Sequence, residues 1–208
     1  MTSTRILAVL AALVTAVFLS ACSSPPTDDG HTDHDHGSSE SPVVAGPPAG
    51  FDAADVAFAT NMIPHHQQAV DLAALAPDRS TNPELIQLAQ QVAAAQEPEI
   101  DTMKAFLVQW KENPDDEHAG MDHGAGGHSD MAGMVDEATM AQLKTLNGTA
   151  FDTLWLQSMI GHHQGAIEMG KAELADGQNV DAKQLAQNII NTQQAEIDQM
   201  QKMLGSKP

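Results

Sequence analysis

Apolar positions recur at steps of three and four along four long segments of this chain, and that spacing predicts four helices. The first covers 51–76. Asp52 stands where an N-cap belongs, and Phe58, Met62, Ala69 and Ala73 form the stripe. Residues 77–83 read as a loop. The second helix covers 84–111, with Leu85, Leu88, Val92, Gln96, Glu99, Met103, Phe106 and Trp110 on its stripe. A third covers 152–175, and a turn falls at 176–179. The last covers 181–204, with Leu185, Ile189, Gln193, Glu196, Met200 and Leu204 in register. Two polar residues therefore sit on the apolar face of both the second and the fourth helix. Pro64 and Pro98 interrupt otherwise helical patterns and are expected to bend or restart them.

The two halves repeat each other at a constant offset of 97 residues. Met62-Ile63-Pro64-His65-His66-Gln67 returns as Met159-Ile160-Gly161-His162-His163-Gln164. Gln96, Glu99 and Met103 return as Gln193, Glu196 and Met200. Duplicated hairpins joined by one long connection predict an all-α, ferritin-like four-helix bundle. The repeats are expected at 51–111 and 151–204 and the crossover at 112–150, with a short helix near 134–146.

The N-terminus predicts export. One basic residue precedes the apolar stretch Ile6–Leu19, which is too short to span a bilayer comfortably. Small residues then lead into Cys22, the only cysteine, in the pattern of a bacterial lipoprotein signal. Residues 1–21 are the expected signal, Cys22 the expected lipid attachment point, and 22–50 a Ser/Pro/Gly-rich tether. The expected location is the extracytoplasmic face of the cell membrane. A lone cysteine permits no internal disulfide.

A net charge of −19, from 28 acidic and 9 basic residues, excludes the basic footprint that nucleic-acid binding requires. Aromatic residues make up only 3 % of the chain, which agrees with helices packed from Ala, Leu and Met.

The repeated motifs put candidate metal ligands on the helices: Met62, His65, His66, Glu99 and Met103 in one copy, Met159, His162, His163, Glu196 and Met200 in the other. Adjacent histidines on a helix diverge by about 100°. One of each pair is therefore free to ligate while the other bonds a carboxylate or borders a neighbour. The crossover adds His118, Met121, His123, His128, Met131 and Met134. Thioether and imidazole without thiolate suit copper. The expected role is copper binding, buffering or trafficking. The alternative is a metal-free envelope module with a buried His–Glu–Gln network. Iron fits less well, because the Glu-x-x-His motif of di-iron bundles is missing from all four helices. No serine stands in a nucleophile-elbow motif.

Both copies of Met-Ile-x-His-His-x-x-Ala, each followed by Gln-x-x-Glu-Ile-x-x-Met, resemble the bacterial family known as domain of unknown function 305. The resemblance implies an exported, ferritin-like helical protein, often a lipoprotein. Copper handling is the role most often associated with such proteins.

Overall fold

The computed structural model describes residues 50–111 and 131–205. The expected signal and Cys22, nearly all of the tether, and His118, Met121, His123 and His128 lie outside the described residues. Five helices and no strands are present among those described: α1 (Ala53–Arg79), α2 (Pro83–Gln109), α3 (Glu137–Leu143), α4 (Gly148–Asp176) and α5 (Val180–Gly205). None is long and apolar enough to cross a membrane.

Local chemistry sets the helix starts. Asp52 caps α1 in a capping box, accepting from the amides of Ala54 and Asp55 while Asp55 returns a bond to the Asp52 amide. Asn82 caps α2, with Pro83 in the first turn, where its missing N–H costs nothing. Asn179 Oδ1 accepts from the amides of Asp181 and Ala182 at the start of α5. Boundaries differ from the sequence reading at three helices, and α3 covers only Glu137–Leu143 where 134–146 is expected. Helix α1 runs through Pro77 to Arg79, where a loop is expected from 77, and α4 begins four residues early at Gly148. Pro77 costs one backbone bond in the last turns. Burial of Leu72, Ala73 and Ala76 on the turn just before it favours continuing the helix. Pro64 and Pro98 likewise lie inside continuous helices.

Helices α1 and α2 pack as one hairpin, α4 and α5 as the other, and the two hairpins join mainly through α1 against α4. Helix α4 runs antiparallel to α1. Trp155, early in α4, donates its indole N–H to the carbonyl of Leu72 late in α1, at 2.8 Å. At the opposite end, Asp55 in the first turn of α1 accepts from the amides of Gln178 and Asn179, just beyond α4. The core forms two clusters related by the repeat. One contains Met62, Met103, Phe106 and Ala166, and the other contains Met159, Met200, Ala69 and Val92.

Candidate metal centre

Halfway along α1 and α4, the repeated histidines meet. All four are fully buried. His65 and His162, the first of each pair, stack on one another across the two repeats, with ring centroids 3.7 Å apart and planes 35° from parallel. The second of each pair turns back into its own hairpin. His66 Nε2 lies 2.8 Å from Glu99 Oε2, and His163 Nε2 lies 2.7 Å from Glu196 Oε2. Both carboxylates sit at the edge of the core, 18 % and 12 % exposed, so each His–Glu pair links the buried layer to the surface.

The 100° divergence of neighbouring helical residues explains this division. One imidazole of each pair meets the other repeat, and the next meets the antiparallel partner helix of its own hairpin.

The ring nitrogens reveal the chemistry available. A carboxylate oxygen accepts, so His66 and His163 turn Nε2–H toward Glu99 and Glu196 and are left with Nδ1. His65 Nε2 lies 3.3 Å from the carbonyl oxygen of Ala132, which also accepts, and its Nδ1 is left bare. Among the described residues, the Nδ1 atoms of His65, His66 and His163, and both nitrogens of His162, are buried without a hydrogen-bond partner. Burial, reinforced by the neighbouring His66, pushes the His65 imidazole down to about 3. Burial, reinforced by His65, holds His162 well below its usual range. Both rings are therefore neutral at pH 7 and carry lone pairs.

Met62, Met103, Met159 and Met200 are fully buried in the two core clusters, with Met62 and Met159 one helical turn before the His pairs. Gln96 and Gln193 are 2 % exposed, and neither amide finds a partner among the described residues. The expected His–Glu–Gln network is thus only half present: the His–Glu bonds form, and the glutamines stay outside them. Met131 and Met134 lie on the described end of the crossover, each partly buried. Among the described residues, no three His, Cys, Asp or Glu side chains converge into a ready cage. The arrangement is instead a stacked imidazole pair, two oriented imidazoles and four thioethers. Such a donor set fits a soft cation in few-coordinate binding better than a hard ion that wants several oxygens.

Three parts of this region escape the stripe analysis. Gln68 binds the backbone of Val135 at two points, Gly165 lets the crossover approach α4 closely, and Gly133 takes φ +83° above it. One signal was present in the sequence. Gln68 and Gly165 occupy equivalent positions in the two copies, as do Pro64 and Gly161, and these positions differ within motifs that otherwise match.

The family model described as Domain of unknown function (DUF305) matches residues 55–204. The chain belongs to this family. Among solved structures, a fragment of a family member from Deinococcus radiodurans is 34 % identical, with a TM-score of 0.67, covering 77 % of this chain and all of that one. A candidate secreted protein of the family from Streptomyces coelicolor is 32 % identical, with a TM-score of 0.64, covering 73 % of this chain and 92 % of that one. CopM in its Cu(II)-bound form is 34 % identical, with a TM-score of 0.60, covering 72 % of this chain and 94 % of that one. CopM has also been solved with Cu(I) and with silver. No curated protein matches the chain.

Proposed function

We propose that this chain is an extracytoplasmic copper-binding protein that buffers or traffics the metal, and that the buried histidine layer is its principal site. The observation that carries the reading is the group of five imidazole nitrogens in a fully buried layer that have no hydrogen-bond partner among the described residues, together with four buried thioethers on the same helices. Burying such atoms without partners is costly. A soft cation in few-coordinate binding would take up lone pairs from several of these rings. The His65–His162 pair would hold the ion, with His66 and His163 beside it, oriented by Glu99 and Glu196 as carboxylates orient metal-binding imidazoles elsewhere. Met62, Met103, Met159 and Met200 would supply sulfur, and His118, Met121, His123, His128, Met131 and Met134 of the crossover would capture the ion first. The relation to CopM, which has been solved with both oxidation states of copper, supports the choice of metal.

The test is titration of the metal-free protein with Cu(I) against a chromogenic chelator. His65→Gln/His162→Gln should lose the tight equivalent of metal. Unchanged stoichiometry and affinity would remove the histidine layer from the proposal. A version lacking 118–134 reports the share of the crossover separately.

A metal-free structural role draws on one observation, the two short His–Glu bonds. It leaves Gln96, Gln193 and His162 unexplained. A ligand that binds the folded state raises its stability by mass action. A melting temperature indifferent to copper would favour this second reading.

We place the protein on the outer face of the cell membrane, tethered through a lipid on Cys22. The signal-like segment before that cysteine and the relation to the Streptomyces coelicolor protein support this location. Cys22→Ser should release the protein from the membrane fraction.

A further inference from the structure

Between solvent and the stacked histidines lies a short length of crossover, residues 131–135. Its attachment is unusual. Val135 is buried and Met131 and Met134 are partly buried, while Ala132 and Gly133 are exposed, so the middle of the segment crosses the groove between α1 and α4 with little side-chain packing. Backbone contacts hold it. Gln68 on α1 donates Nε2–H to the Val135 carbonyl at 2.9 Å and accepts the Val135 N–H at 2.8 Å. His65 reaches the Ala132 carbonyl at 3.3 Å, a long bond.

On the other wall, α4 makes room. A Cβ at Gly165 would collide with the Ala132 carbonyl, and one at Gly133 would lie 2.6 Å from the Gly161 carbonyl. The duplicated positions 68 and 165 thus face the same segment in different ways. One grips it, and the other lets it sink.

We propose that residues 131–135 form a strap that closes the route to the buried His65–His162 pair, and that Gln68 is the positioning residue that sets how readily it lifts. The inference rests on the reading of that pair as a copper site. The Ala132 carbonyl ties the strap to His65 Nε2 and leaves Nδ1 for a cation that enters when the strap lifts and is covered again when it closes. Met131 and Met134 ride on the strap, each partly buried. A soft cation held by those thioethers is carried to the groove as the strap moves. The ligand class is a soft monovalent cation, Cu(I) or Ag(I).

The experiment uses the full chain, Cu(I) presented as its chromogenic chelate, and the variants Gln68→Met and Gly165→Ala. Gln68→Met keeps the volume and removes both bonds. A typical net hydrogen bond alters an equilibrium by about fivefold, so losing two should raise strap opening at least tenfold. Three results are expected for Gln68→Met. The Val135 amide of the metal-free protein should exchange with deuterium at least about tenfold faster. Copper uptake and release should both accelerate by a similar factor. The equilibrium affinity should stay within about twofold.

Gly165→Ala, which pushes the strap from the other wall, should act in the same direction. Faster Val135 exchange with unchanged metal rates would overturn the gate. Unchanged Val135 exchange in Gln68→Met would overturn the role of Gln68. Lower affinity at an unchanged uptake rate would make Gln68 part of the site instead, and would also overturn it. If the wild type takes up copper as before but His65→Gln/His162→Gln does not alter it, the site assignment fails and the strap fails with it. That outcome is distinguishable, because it appears in the histidine variants and not in the strap variants.

Discussion

His65 and His162 stand at equivalent positions of two sequence copies, and their tilted rings meet with centroids 3.7 Å apart between the two hairpins. Neither is exposed to solvent. Stacking two such rings is tolerable because both are neutral: a proton on either would place a charge in a dry layer against a second basic ring.

That neutrality sets the response to acid. The unfolded chain takes up protons on these histidines near 6.5, whereas folded His65 does so only near 3 and folded His162 also well below its usual range. Between those values the unfolded state binds more protons, so stability rises with pH and is lost as pH falls. The metal-free protein should melt at progressively lower temperature from pH 6.5 to pH 4. A flat profile over that range would contradict the buried neutral pair.

The opposite sign is expected from Glu173. This side chain is 2 % exposed beside Asp55, and burial, followed by the Asp55 carboxylate, pushes it up to about 8. Burial alone would raise Asp55, but hydrogen bonds led by the Asn179 and Asp52 amides outweigh it and hold Asp55 low. The folded state thus keeps a proton on Glu173 that the unfolded chain gives up near 4.5. The stability it contributes falls as pH rises from about 4.5 towards 8. Glu173→Gln, a neutral stand-in for the protonated acid, should remove this downward contribution, so that its urea midpoint gains on that of the wild type as pH rises from about 6.5 to 8. An unchanged slope would rule out Glu173 as its source.

Trp155 couples the hairpins through its bond to the Leu72 carbonyl while filling the core. Trp155→Phe removes the donor and leaves a space, and should destabilise the fold by roughly 1–3 kcal/mol. Chemical denaturation monitored by far-ultraviolet circular dichroism measures the loss. A change under about 0.5 kcal/mol would mean that the hairpins join chiefly by other contacts.

If the histidine layer binds copper, Glu99 and Glu196 act through the rings they orient. Glu99→Gln and Glu196→Gln should each lower Cu(I) affinity by about 10–100-fold. Because the two pairs share one geometry, the two losses should agree within a few-fold. Competition titration reads both, and a loss in only one would show that the copies have divided their roles.

Much of this was legible in the chain. The spacing of Phe58, Met62 and Ala69, and of Leu88, Val92 and Gln96, identifies amphipathic helices whatever surrounds them, because the period is a property of the helix itself. The repeat adds that His66 must relate to Glu99 as His163 relates to Glu196, and both pairs are bonded. Helical periodicity also determined that His65 and His66 diverge. It left the phase of α1 against its neighbours undetermined, and that phase decides which ring meets the other repeat and which meets the carboxylate. Packing of whole surfaces sets it, through contacts such as Trp155 with Leu72, 83 residues apart.

The strap lay further beyond the sequence. Gln68 reads as one more polar residue beside the histidines, and Gly165 as a poor helix former. Their partners are backbone atoms of Ala132, Gly133 and Val135, which carry no side-chain signature. Periodicity and the 97-residue repeat suffice for the helices, the duplicated plan and the chemical types on the buried faces. Which nitrogens lack partners among the described residues, and what covers them, depends on backbone approach between segments more than 60 residues apart in the chain.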